Sequence, residues 1–142
     1  MKNIEKEMKK IYLEEYDVYV NEYLTYAQIQ QIVNSTLALM NTFDDNGKKH
    51  NSWAERQENI DMLVLYHTTD LTEKELSVSH NILLHSGLIE AVRNSIKNYM
   101  WIEDAFKFQE RWDTLLLSAT EKISEMIKLN DIKKIREDVK NG

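Results

Sequence analysis

The side chains best suited to chemistry in this 142-residue chain are four histidines (His50, His67, His80 and His85) and 24 carboxylates; there is no cysteine. The lack of thiols excludes disulfides, thiolate metal sites and cysteine nucleophiles, and it fits a reducing compartment. A metal site or an acid–base pair needs its groups on one face. His80 and His85 are five residues apart, so a helix turns them about 140° from each other and one ion does not readily take both. His67 with Asp70 could form an imidazole–carboxylate pair at a helix end. A histidine in a last helical turn more often complements the helix dipole, and that is its expected role. The neighbouring acids Glu14–Glu15, Glu103–Asp104 and Glu137–Asp138 diverge by about 100° on a helix. Glu121 and Glu125 share a face but have no companion at ligand spacing, and no helix carries the Glu-x-x-His of a di-metal carboxylate bundle. Asp44, Asp45 and Asn46 suggest a calcium loop. Setting Gly47 at its sixth position, however, puts Trp53 where the twelfth-position Glu must stand. No GxSxG, phosphate-binding glycine loop or HExxH is present, and no nucleophile, base and orienting group are brought together by a local motif. The expectation is a non-enzymatic protein with no catalytic residues, no cofactor and no metal.

The elements that would position these groups read as helices. Tyr23–Met40 (YLTYAQIQQIVNSTLALM) places Tyr26, Ile29, Ile32, Val33, Thr36, Leu37 and Met40 on one face of a 3.6-residue helix, opened by a Thr25/Gln28 capping box. Ser52 with Glu55 opens a helix to about His67, with Trp53, Ile60, Leu63, Val64 and His67 inward and Glu55, Arg56, Glu58 and Asp61 outward. Thr72 with Glu75 opens another from Glu73 to about His85, which Gly87 stops in the left-handed conformation. Further helices run from Leu88 to about Tyr99, from Trp101 to about Leu117, and from Ala119 to Val139. The last two could be one, since no breaker separates them. Residues 2 to about 20 read as a charged helix. Tyr12, Tyr16, Tyr19, Tyr23 and Tyr26, spaced four, three, four and three, then form a tyrosine stripe, with a break expected near Asn21 to Leu24. Thr42–Asn51 reads as a mobile polar loop. Proline is absent and there are three glycines, too little turn punctuation for a strand-rich fold. The expected fold is all-α: a single domain over 1–142, a compact bundle of about five to seven amphipathic helices with a core over 23–118 and a charged C-terminal helix over 119–142. Trp53, Trp101 and Trp112 are expected as core anchors.

The net charge is −6 and unevenly spread: residues 16–120 carry eight basic against fifteen acidic residues. An acidic middle repels a phosphate backbone, so sequence-specific nucleic-acid binding is not expected. No 18-residue apolar run is present to span a membrane, and the charged start MKNIEKEMKK is unlike a signal peptide. Binding to protein remains. Tyrosine is enriched at binding hot spots. The expected contact residues are accordingly Tyr12, Tyr16, Tyr19 and Tyr23 of the stripe, Asp44 and Asp45 of the loop, and Lys133, Lys134 and Arg136 of the last helix. Asp131, Glu137 and Asp138 are interleaved with that last cluster, which also suits a plain solvated face.

Three pieces, YLTYAQIQQIV at Tyr23–Val33, YHTTDLT at Tyr66–Thr72 and GLIEAVRNSI at Gly87–Ile96, occur in the order found in a group of small helical proteins. The chain thereby resembles proteins encoded in tailed-bacteriophage virion-assembly (head–tail or neck) gene clusters, over roughly residues 20–100. The resemblance implies a non-enzymatic virion component near the portal, neck or head–tail joint, assembled in the host cytoplasm. Its partners would be other copies of itself in a homo-oligomer, or portal and neck proteins. It carries over no catalytic residues. Outside a virion the expected location is the cytoplasm. The alternative is a phage-encoded inhibitor or regulator that binds a host protein through its acidic surface. A third class is an enzyme or ligand-binding bundle, which would need a pocket with converging polar groups.

Overall fold

The computed structural model describes residues 10–141. These are mostly helical: a two-stranded antiparallel sheet, β1 (Lys10–Leu13) and β2 (Val18–Asn21), precedes six helices. The helices are α1 (Tyr26–Met40), α2 (Trp53–Thr68), α3 (Glu73–Leu76), α4 (His80–His85), α5 (Leu88–Ser95) and α6 (Trp101–Asn141). The described residues form two compact units, one ending at residue 105 and one starting at 106. The first holds the hairpin, α1–α5 and the start of α6; the second is the rest of α6.

The first unit begins with a correction to the expected N-terminal helix. Its part before residue 10 lies outside the described residues, and from residue 10 onward the chain is a hairpin in the register Lys10↔Asn21, Ile11↔Val20, Tyr12↔Tyr19 and Leu13↔Val18. The pattern that wins has a period of two. Val18 and Val20 are buried while Tyr19 between them is exposed, and β-branched residues suit such a half-buried strand. Each strand is only four residues long, so the alternation is short enough to be hidden under the helical spacing of the tyrosines. Asp17, at φ 52, closes the connection in the left-handed region, which Asp tolerates better than most residues.

α1 follows its sequence pattern closely. Thr25 Oγ1 accepts from the Gln28 amide and Gln28 Oε1 accepts from the Thr25 amide, completing the capping box. Ile29, Ile32, Val33 and Thr36 are buried, but Tyr26 is 79% exposed and stacks on Trp101 with ring centroids 5.7 Å apart. α2 lies against α1, and the buried Thr36 hydroxyl accepts from Asn59 Nδ2 at 2.8 Å while donating to the Ile32 carbonyl. The buried face of α2 is Ile60, Asp61, Val64, Leu65 and Thr68. That face is turned about one residue from the expected one, so Trp53 is 74% exposed and Asp61 faces inward.

The expected helix Glu73–His85 divides in two. Thr72 and Glu75 do form a full capping box, but α3 ends at Leu76, and α4 starts after Ser79 without a side-chain cap. Gly87 has φ 85, as its place after a helix end requires. Tyr16 adds a second reason against a side chain there. Its hydroxyl donates to the Ser86 carbonyl at 2.8 Å, and a Cβ at position 87 would lie 2.7 Å from that oxygen. Gly87→Ala is therefore expected to cost about 1–3 kcal/mol, combining left-handed strain with a displaced tyrosine. A thermal melt compared with the parent chain reads this directly.

In the second unit α6 continues without interruption from the first, one helix of 41 residues where the sequence left one or two open. From Glu110 to Lys140 every residue is exposed. The expectation that Trp112 anchors a core is corrected here: it is half exposed, as Phe108, Leu115, Leu116, Ile123, Met126 and Ile127 also are or more so. Trp101, in the first unit, is likewise exposed.

Candidate functional site

Two places in the described chain gather enough chemistry to be considered: a buried carboxylate in the first unit and the exposed apolar face of α6 in the second.

Asp61 is 3% exposed, in the middle of α2. One oxygen accepts from Gln57 Nε2 at 2.9 Å, one turn earlier, and from the Arg93 guanidinium of α5 at 3.0 Å. The other lies 3.0 Å from His80 Nε2 of α4. A carboxylate out of water needs this kind of compensation, so three helices are tied to one side chain. Arg93 also lies over the Tyr99 ring, 5.5 Å from its centroid. Burial works against its charge, but Tyr99 and Asp61 outweigh that and hold the Arg93 pKa above its ordinary value. A pocket of about 360 Å³ opens beside the cluster, lined by Trp53, Ala54, Gln57, Glu58, Asp61, His80, Asn81, Leu84 and Arg93. The lining contains no hydroxyl nucleophile, and the Asp61 carboxylate is taken up by Gln57, His80 and Arg93. The geometry is that of a structural tie. A nucleophilic mechanism would need a Ser, Thr or Cys within hydrogen-bond reach of His80.

The sequence pattern puts Asp61 on the outward face of α2 and gives no direct sign of this cluster. His80 and Arg93 are 19 and 32 residues away, and no short-range pattern announces such a meeting. The only sequence signal is a lone acid beside Ile60 and between Gln57 and Val64.

The other histidines have separate lives. His67 does not pair with Asp70. Its ring meets Tyr66 edge-on, and burial holds its pKa below the usual imidazole value. That shift works against its expected role as a charge complement in the last turn of α2. Asp70 is instead used by the hairpin: its Oδ1 accepts from the Tyr19 amide at 3.0 Å and its own amide donates to the Tyr19 carbonyl. His50 Nδ1 pairs with Glu55, and that hydrogen bond, with a second from Ser52, lowers the Glu55 pKa. Ser52 caps α2 as expected but does so without the reciprocal half of the box. Among the described residues no group of three or more acids and histidines is placed to hold a metal ion.

The tyrosines do not form one stripe. Tyr12 and Tyr19 face each other across the hairpin with centroids 4.7 Å apart, and the Tyr12 hydroxyl donates to Asp17 Oδ1 at 2.6 Å. That bond raises the Tyr12 pKa. Tyr16 is turned inward to Ser86, as described above. Tyr23 is near the Lys97 ammonium, 5.8 Å from its ring centroid, and lines a shallow pocket with Tyr26, Asn98 and Trp101. Asp44 organises its own loop: its carboxylate accepts from the amides of Asn46 and Lys48, both at 2.9 Å. Asp45 is exposed beside it. Lys133, Lys134 and Arg136 are exposed on α6, in the other unit.

No protein-family model, curated protein or solved structure matches the chain. The choice between the two candidate places therefore rests on their own physics. At the Asp61 cluster the carboxylate is buried and both its oxygens are bonded, while Arg93 Nε is buried without a hydrogen-bond partner among the described residues. The apolar face of α6 is exposed along its length. Phe108, Trp112, Leu115, Leu116, Ala119, Ile123, Met126 and Ile127 recur at helical spacing over 20 residues, roughly 30 Å of helix. An exposed apolar patch of that length makes this face the stronger candidate for an interaction surface. Among the described residues no helix is long and apolar enough to cross a membrane.

Proposed function

We propose that the chain is a non-enzymatic bacteriophage structural protein, a portal, neck or head–tail ring or adaptor component that acts through protein–protein contacts. The observation that carries the contact role is the exposed apolar face of α6. Covering one such side chain is worth roughly 1.5–3 kcal/mol. Seven large ones, with Ala119 among them, exceed what association loses in freedom of motion, provided the partner matches their shape. Support for the virion setting comes from the resemblance of Tyr23–Val33, Tyr66–Thr72 and Gly87–Ile96 to the phage assembly proteins. The first unit then serves as a folded head and α6 as the contact element.

The test is peptide mass spectrometry of purified particles made with the parent chain and with Ile123→Glu. Incorporation of the parent chain, falling tenfold or more in the variant at equal cellular amounts, is the expected result. Particles that lack the chain altogether contradict the virion role. A monomer that captures a host enzyme through its acidic surface would favour the inhibitor reading.

A further inference from the structure

We propose that the apolar face of α6 is covered by the same face of a second copy of this chain, the two helices lying parallel. The proposal rests on the contact role above and names its partner. With Trp112 as origin and about 100° per residue, Leu116, Ala119 and Ile123 stay within about 40° of it, and Phe108, Leu115, Met126 and Ile127 within about 60°. Trp112, Leu115 and Leu116 recur eleven residues later as Ile123, Met126 and Ile127. An eleven-residue repeat, about 3.67 residues per turn, keeps the stripe nearly in line with the helix axis, so two such helices stay in contact along its whole length. After Ile127 the pattern ends, since Ile132, Ile135 and Val139 rotate to the opposite side.

The charges beside the stripe choose both partner and direction. Arg111, Lys122 and Lys133 fall on one edge, about 60–100° from Trp112, while Asp113 and Asp131 fall on the other edge at about 100°, with Lys134 on that same side at about 40°. All six are exposed. When two such helices pack in parallel, the left edge of each meets the right edge of the other, as g and e positions do in a parallel coiled coil. Arg111 then comes beside Asp113 of the second copy, and Lys133 beside its Asp131, each offset by two residues or about 3 Å along the axis. An antiparallel pair brings like edges together and sets Arg111 against Lys122 of the other copy, which is repulsive. A second copy in parallel supplies the matching apolar row and both charge rows at once.

The chain has no cysteine, so a single introduced one reports orientation. Met126 lies near one end of the stripe: a parallel pair sets the two residues 126 side by side, whereas an antiparallel pair centred on the stripe separates them by more than about 20 Å. In the full-length chain, Met126→Cys is expected to oxidise to a covalent dimer at least fivefold faster than Lys128→Cys, which sits on the far face. Sedimentation of the parent chain at tens of micromolar should show a dimer. Ile123→Glu should return it to a monomer whose thermal melt matches that of the parent chain diluted until it too is monomeric, because residue 123 is exposed in the single chain. Association with equal cross-linking at 126 and 128, or with none at 126, overturns the parallel arrangement. A parent chain monomeric at every concentration overturns self-pairing. If Ile123→Glu still abolishes incorporation into particles in that case, the contact role stands with a different partner. If incorporation is indifferent to Ile123→Glu, both fall.

Discussion

Asp61→Ala is expected to destabilise the folded chain by about 3 kcal/mol, the range for removing one partner from a buried charge cluster. The substitution strands Arg93 and His80 without the carboxylate they face, and frees Gln57 as well. Side-chain exposure of Arg93 is 37%, so water recovers part of its solvation, which places the loss at the low end of the 3–5 kcal/mol that such removals cost. The fall in melting temperature should be on the order of 10 °C for a chain of this size. Glu58→Ala, an exposed acid on the same helix, is the control and should stay within about 0.5 kcal/mol of the parent. A urea titration comparing the two reads the difference. If Asp61→Ala matches Glu58→Ala, the cluster contributes no net stability and α2, α4 and α5 are held by apolar packing alone.

Asn98→Ala should cost about 2–4 kcal/mol for a different reason. Asn98 is 3% exposed, and its amide makes two bonds to one backbone position: Oδ1 accepts from the Leu24 N–H and Nδ2 donates to the Leu24 carbonyl, both at 2.9 Å. Truncation leaves a buried donor and a buried acceptor unpaired, each worth about 1–3 kcal/mol. Leu24, itself buried, is where the chain passes from the hairpin into α1. The Asn98 side chain thus does for that segment what a neighbouring strand would do. Asn98→Asp is the sharper variant, being nearly the same size. It keeps the bond from the Leu24 N–H but turns a carboxylate oxygen toward the Leu24 carbonyl, so it should destabilise at least as much as alanine at neutral pH. If Asn98→Asp proves neutral in urea unfolding, the paired bonds are not what holds Leu24.

The parts of this fold legible in the sequence are those decided within one helical turn. Thr25 with Gln28 and Thr72 with Glu75 announce capping boxes because the bonds span three residues, and Gly87 marks a left-handed stop for the same local reason. What depends on distant partners was not legible. Asp61 looks outward-facing until His80 and Arg93 arrive from other helices. The pairing of Asn98 with Leu24 spans 74 residues. The tyrosine spacing that suggests a helix over residues 10–20 belongs to two short strands whose buried valines carry the weaker signal. Along α6 the apolar stripe itself is plain in the sequence, but its exposure is not. A helix face meant for a domain interior and one meant for another molecule use the same residues.

Hydrogen exchange measured peptide by peptide across a concentration series tests the role of that face most directly. The amides of residues 108–127 should slow as the protein concentration rises from about 1 to 100 µM, while α1, α2 and the Asp61 cluster exchange at a constant rate. If residues 108–127 exchange equally fast across that whole range, α6 does not associate with itself through its apolar face.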